Sequence, residues 1–249
     1  MDLMFLTPIL FFIISFLFSM LGMGGSQLYI PILFWFGMDF KTQAIPLGML
    51  LNVVNSSSAS ITYGRKKIID YKVAIPFGIA MVLLAPLGAW LNISLPTKPM
   101  IFVFAIFTAI AAILMLSGWK PKRGDLSSKE RRILGISGGS ILGFFAGLLG
   151  RGGGSFVVPL LYIAGLEAKA AAATSAFVIT FSGLSSFFSH ILTAADPRWL
   201  IWLLCVLSVL LGSQLGSRVM ATKLKSKNIK IVFGTVLLIV AAILIIQNL

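Results

Sequence analysis

Acidic residues are nearly missing from this chain, with seven Asp and Glu against 20 Lys and Arg in 249 residues. Charged residues of both signs amount to 11% and hydrophobic ones to 58%, where a soluble domain carries about 25% and 45–50%. So few charges cannot cover the surface of a water-soluble enzyme of this length, and one polytopic membrane domain (1–249) fits instead. The single cysteine, Cys205, excludes an internal disulfide. The first 20 residues lack a basic leader and a small-residue cleavage site, so they read as a retained membrane helix. In a soluble protein the surplus of bases would point to nucleic acid. Here most of them fall in three short loops between apolar runs, so they are topology signals and no nucleic-acid partner is expected.

A bilayer core of roughly 30 Å takes about 20 apolar residues as helix. Eight runs approach that length: 3–21, 41–62, 71–91, 99–117, 133–149, 168–192, 199–217 and 229–247. Two shorter runs, 26–36 and 155–164, would form helices only about 15–17 Å long. If the short runs do not cross, Lys and Arg divide 11 to 9 between the two sides. If both cross, the division is 16 to 4, with loops 63–72, 117–132 and 218–230 on the basic side. The positive-inside rule selects ten segments, with these loops in the cytoplasm and both termini outside a cell inner membrane. An extended residue covers about 3.3 Å, so the five residues Gly22 to Ser26 plus a short helix would complete a crossing. Such a loop must be buried in protein or line a cavity.

The halves align without a gap at an offset of 128 residues. LGMGGSQLYIP (21–31) lies over LGRGGGSFVVP (149–159), Gly37 over Gly165, Lys41 over Lys169 and Gly88 over Gly216. Five crossings per half is an odd number, so the expected fold is all-α with two inverted repeats, 1–117 and 133–249, joined by a cytoplasmic linker, 118–132. Paired glycine-broken segments in inverted repeats point to a transporter site near the midplane.

The doubled pattern G-x-G-G-(G/S), followed by an apolar stretch and a proline, resembles the sulfite exporter TauE/SafE family over nearly the whole chain. Ala173-Thr174-Ser175 also resembles that family's A-T-S signature, whereas the first half has Ile45-Pro46-Leu47 there. It also departs at Ser26, where the second half has Gly154. The resemblance implies a permease, often an exporter, for sulfur-containing anions such as sulfite and sulfonates.

The candidate binding residues follow from the glycine loops. N–H groups of residues 24–27 (Gly24, Gly25, Ser26, Gln27) and 152–155 (Gly152, Gly153, Gly154, Ser155) would face an anion, aided by the positive end of each half-helix. Tight packing through small residues is the plainer role for the same glycines. Arg151 reads two ways, as an oxyanion ligand or as a base that snorkels to the outer face. All seven acids fall outside the predicted helix centres, which argues against a cation carrier. Asp39 and Glu167 read as starts of the long helices that follow. Asn52 and Asn55 share a helix face, followed by Ser56, Ser57 and Ser58, and either line a hydrated path or bond between helices. Thr174 and Ser175 read as support for the second glycine loop. His190 sits near the outer end of its run, and the tryptophans mostly near span ends.

The expected function is alternating-access transport, with an anion-selective channel as the alternative. No enzymatic activity, cofactor or metal is expected. The named partners are the lipid bilayer and a small sulfur anion. Proton coupling, through His190 or the substrate's own titration, and homo-oligomer formation stay open.

Overall fold

The computed structural model describes residues 6–92, 127–149, 154–163, 165–191, 194–195 and 197–246, with 106, 109, 112–113 and 116–117. The described residues are helical throughout, without a strand. In chain order the helices are α1 (Thr7–Leu21), α2 (Ser26–Trp35), α3 (Ile45–Arg65, led in by a π-helical turn at Phe40–Ala44) and α4 (Tyr71–Asn92). Then come α5 (Ser128–Leu149), α6 (Gly154–Ile163), α7 (Ala168–Ile191), α8 (Trp199–Thr222) and α9 (Ser226–Ile246). Among the described residues, four stretches are long and apolar enough to cross a membrane: Thr42–Arg65, Tyr71–Gly88, Ala168–Phe188 and Trp199–Thr222. The predicted run 99–117 and the linker lie mostly outside the described residues.

The helix ends follow local chemistry. Ser127 and Glu130 cap α5 reciprocally: the Glu130 carboxylate accepts the Ser127 N–H at 2.7 Å, and the Ser127 hydroxyl accepts the Glu130 N–H at 3.3 Å. Asp39 does as predicted and starts the α3 run, accepting from the Thr42 N–H at 2.8 Å. Gly37 and Gly165 close α2 and α6 in the same way, with φ of 87° and 99°. In each the glycine N–H and the next N–H reach back to close a Schellman turn, onto Phe34 and Leu33 in one, Tyr162 and Leu161 in the other. The proline of each short helix, Pro31 and Pro159, stands at the same place in it.

Parallel pairs organise the packing. Helix α1 runs along α8, where Gly212 and Gly216 let the α1 backbone approach at Phe12 and Phe16. Helix α4 runs along α5, where Gly135, Gly139 and Gly143 seat Val73, Phe77 and Met81. Both glycine sets recur every four residues, the spacing that brings helix backbones together in membranes. Helices α3 and α7 cross at the centre. Isoleucines and leucines at 75, 79, 83 and 87 form an exposed stripe on α4, which lipid would cover.

The Tyr63 hydroxyl, near the end of α3, donates to the Ser19 carbonyl near the end of α1 at 2.6 Å. The starts of these helices share a core at Phe11, Ala44 and Leu47. They therefore run the same way, and α2 carries the chain back between them. One end of the molecule gathers the loop after α3 and the starts of α5 and α7. There Arg131 pairs with Asp70, and the Asp70 N–H donates to Thr174 Oγ1 at 3.0 Å. Lys169 Nζ adds the last turn of α8 by donating to the Ala221 carbonyl at 2.7 Å. At the opposite end the Ala195 N–H donates to the Thr42 carbonyl at 3.1 Å.

Candidate functional site

The turn between α1 and α2 decides where α2 begins. Gly22, at φ 67°, ends α1 in a Schellman turn, its N–H on the Ser19 carbonyl and that of Met23 on Phe18. A Cβ on Gly22 would run into the Ala172 carbonyl of α7. The chain then rises along α7 from Ala172 to Ile179, which lies against Gly24 at φ 76°. The first residue of α2 is Ser26, at the level of Asn52, midway between Phe40 and Arg65. The break is thus shorter than the five extended residues expected. The cap of α1 claims Gly22, and Ser26 already belongs to α2.

Asn52 and Asn55 face this turn and are buried, at 1% and 0% exposure. Asn52 Oδ1 accepts from the N–H of Gly25 at 2.9 Å and of Ser26 at 3.4 Å. Asn55 Nδ2 donates to the Gly24 carbonyl. These bonds set the amide orientations, because two N–H donors need an oxygen and a carbonyl needs an NH2. Two of the N–H groups expected to face an anion are therefore directed to Asn52. Left over are Asn52 Nδ2 and Asn55 Oδ1, neither with a hydrogen-bond partner. The Nδ2 lies beside Gly183 of α7, whose missing side chain leaves it room. Gln27, in the first turn of α2, is also buried, and its Oε1 likewise has no partner. The Tyr29 hydroxyl, which stands against Gly25, has none either. Buried polar groups are nearly always paired. These four orphans belong to residues in or facing the first turn of α2, where the peptide dipoles leave roughly half a positive charge.

The other candidates have other surroundings. Ser26 is buried. Ser175 Oγ donates to the Gly22 carbonyl at 2.7 Å, so it steadies the first glycine loop. Thr174 holds the loop after α3 through Asp70. Gly154 and Ser155 open α6; Arg151, Gly152 and Gly153 lie outside the described residues. On α3, Ser56 and Ser57 donate back to the Asn52 and Val54 carbonyls of their own helix, while α8 bonds across to α3: Gln214 Nε2 donates to Ser58 Oγ at 2.7 Å, Ser217 Oγ to Thr62 Oγ1 at 3.1 Å and Ser213 Oγ to the Asn55 carbonyl at 2.7 Å. The sequence pattern did not single out Ser213, Gln214 and Ser217, although they stand on one face of α8 beside its glycines. His190 stands in the last turn of α7. Trp35, Trp90 and Trp199 are exposed as interface anchors are, but Trp202 is buried among Phe11, Leu47 and Cys205.

The family model for the sulfite exporter TauE/SafE matches residues 8–244. The chain belongs to the sulfite exporter TauE/SafE family. It is 25% identical, over 92% of its length and 93% of the relative's, to a probable membrane transporter protein of Bacillus subtilis. A probable membrane transporter protein of Methanocaldococcus jannaschii is 27% identical over 91% of this chain and 89% of its own. A TauE/SafE family protein of Arabidopsis thaliana is 28% identical over 47% of this chain and 27% of its own. The first two relatives match the chain nearly end to end, so its apolar helices are those of a multi-pass membrane protein of a transporter family. The orphan amides at the α2 N-terminus are a feature of this structure.

Proposed function

We propose that the protein is a secondary transporter, an exporter of small sulfur-containing anions such as sulfite or organosulfonates, working by alternating access around the N-terminus of α2. One observation carries this reading: four buried, unpartnered polar atoms belong to residues in or facing the first turn of α2, halfway along α3. No acidic residue stands in the first turn of α2 to cancel its dipole. Neutral donors and partial charges hold an anion weakly enough to release it, where a buried full charge would trap it. Arg151, Gly152, Gly153, Gly154 and Ser155 would complete the site from the second half.

The same reading takes the chain as two inverted repeats, 1–117 and 133–249, in one domain. It is supported by the exchange of partners, α1 with α8 and α4 with α5, which an offset of 128 residues interconverts. The matching turns at Gly37 and Gly165 support it too. The end that gathers Lys66, Lys67, Arg131 and Lys169 would be cytoplasmic, with both termini outside the inner membrane. The deciding experiment is flux of sulfite and sulfonates into proteoliposomes. Saturable, exchange-type flux is expected. Linear electrical conductance would instead make the protein an anion channel, and no flux of any sulfur anion would remove the reading.

A further inference from the structure

Resting on that reading, we infer that the seam between α3 and α8 is the cytoplasmic leg of the anion path, closed in this structure and opened when α3 parts from the α1–α8 pair. The helix pairs of the core are joined in two ways. Glycines seat α8 on the backbone of α1, and α5 on that of α4, in contacts too close to admit an ion. Helices α3 and α8 instead meet through hydroxyls and an amide. From the level of Asn55 to the last turn of α3, Ser213, Gln214 and Ser217 reach the Asn55 carbonyl, Ser58 and Thr62 in turn. The seam begins at the proposed site, because Asn55 gives its carbonyl to Ser213 while its own Oδ1, fully buried, has no partner. It ends among exposed bases, Arg65 and Lys66 after α3 and Arg218 and Lys223 on α8, a mouth whose charge draws anions. The bonds across the seam have replacements. Ser217 Oγ also lies 3.3 Å from the Gln214 carbonyl, and Thr62 Oγ1 3.4 Å from the Ser58 carbonyl, each in its own helix. Hydroxyls that bond back in this way need no partner helix, so the seam parts without stranding them. Ser213 can turn to a bond of the same kind, and the half-buried Gln214 to water. Tyr63 differs. Its hydroxyl donates to the Ser19 carbonyl of α1 at 2.6 Å and is too far from its own backbone to bond there. The Ser19 carbonyl keeps the Gly22 N–H at 3.2 Å when the tyrosine leaves. Tyr63 is therefore the latch that holds the seam shut.

The test is thiol labelling of the full chain with its single cysteine removed by Cys205→Ser. Ser217→Cys and Thr62→Cys are each made in that background, and sulfite flux is measured in proteoliposomes. Each variant is then treated, without substrate, with a bulky membrane-impermeant maleimide from one side of the membrane. Ser217 is 0% exposed and Thr62 8%, so labelling reports that the seam has opened. Both cysteines should be labelled from the cytoplasmic side, about tenfold faster than from outside, and sulfite flux should fall about tenfold once they are labelled. Adding Tyr63→Phe should speed labelling of Ser217→Cys about threefold. Variants that carry sulfite yet stay unlabelled from the cytoplasm would overturn the inference while leaving transport standing. Labelling that leaves flux intact would overturn it too, as would a labelling rate that Tyr63→Phe does not change. A native chain that carries no sulfur anion would overturn both the transport reading and the inference.

Discussion

Among single residues, Asn52 matters most, because it does two jobs with one amide. Its oxygen caps α2, and its nitrogen is spare. Asn52→Leu leaves two buried N–H groups unpaired and should destabilise the fold by about 1–3 kcal/mol, read as a lower melting temperature in detergent. Asn52→Asp keeps the cap and suits the helix dipole, so it should melt above the leucine variant. Yet it places a negative charge at the proposed anion site, and anion affinity should fall at least tenfold by calorimetry. Unchanged affinity in a stably folded Asn52→Asp would make Asn52 a cap and nothing more. The glycines need similar separation. A side chain on Gly25 would meet the Tyr29 ring, and one on Gly24 the Asn52 amide, so Gly25→Val tests packing and Gly24→Ala tests the site. Asn52 and Asn55 were legible from their spacing and the glycine loop from its motif. The direction of each amide was not, because it depends on which backbone groups three-dimensional folding sets beside it.

Among elements, the short helices were legible because an apolar run of ten or so residues cannot span a bilayer and Gly37 and Gly165 mark their ends. The pairing of α1 with α8 and α4 with α5 was not legible, although its glycine spacing was in plain sight. A G-x-x-x-G pattern names a face but not its partner. The fold supplies the partner, and a test follows. Gly139→Leu would drive its side chain into the Phe77 backbone of α4, and Gly212→Leu into Phe12 of α1. Each should lower the melting temperature markedly, by overpacking costs of about 1–3 kcal/mol or more. Leu211→Ala, on the exposed side of α8, should leave it nearly unchanged. Equal effects at 211 and 212 would mean that α1 does not seat on these glycines. The Asp70–Arg131 pair, partly exposed, should matter less, because such pairs contribute roughly 0–1 kcal/mol.

For the whole molecule, the distribution of Lys and Arg along the chain divides the loops into two sides, and the helix directions agree with that division. The end that joins Asp70 to Arg131 and Thr174 also receives Lys169 and the end of α8. Cysteines placed in loops 63–72, 117–132 and 218–230 should be labelled from the cytoplasm alone. Labelling of any two from outside would contradict the repeat architecture. With no acid in the middle of a described helix, a coupled proton would have to use His190 or the substrate itself. His190→Gln should keep most transport in proteoliposomes, and complete loss in normally inserted protein would assign the coupling to that histidine.

The proposed transport mechanism and the second role of Asn52 both depend on an anion binding at the N-terminus of α2. Selenite, a heavier analogue of sulfite, can be located by its anomalous scattering in crystals of the full chain. One selenium peak is expected beside Gly25 and Ser26, with oxygens about 2.7–3.2 Å from Asn52 Nδ2 or the loop N–H groups. A peak elsewhere in the molecule, under conditions in which selenite competes with sulfite for transport, would place the site elsewhere and contradict that expectation.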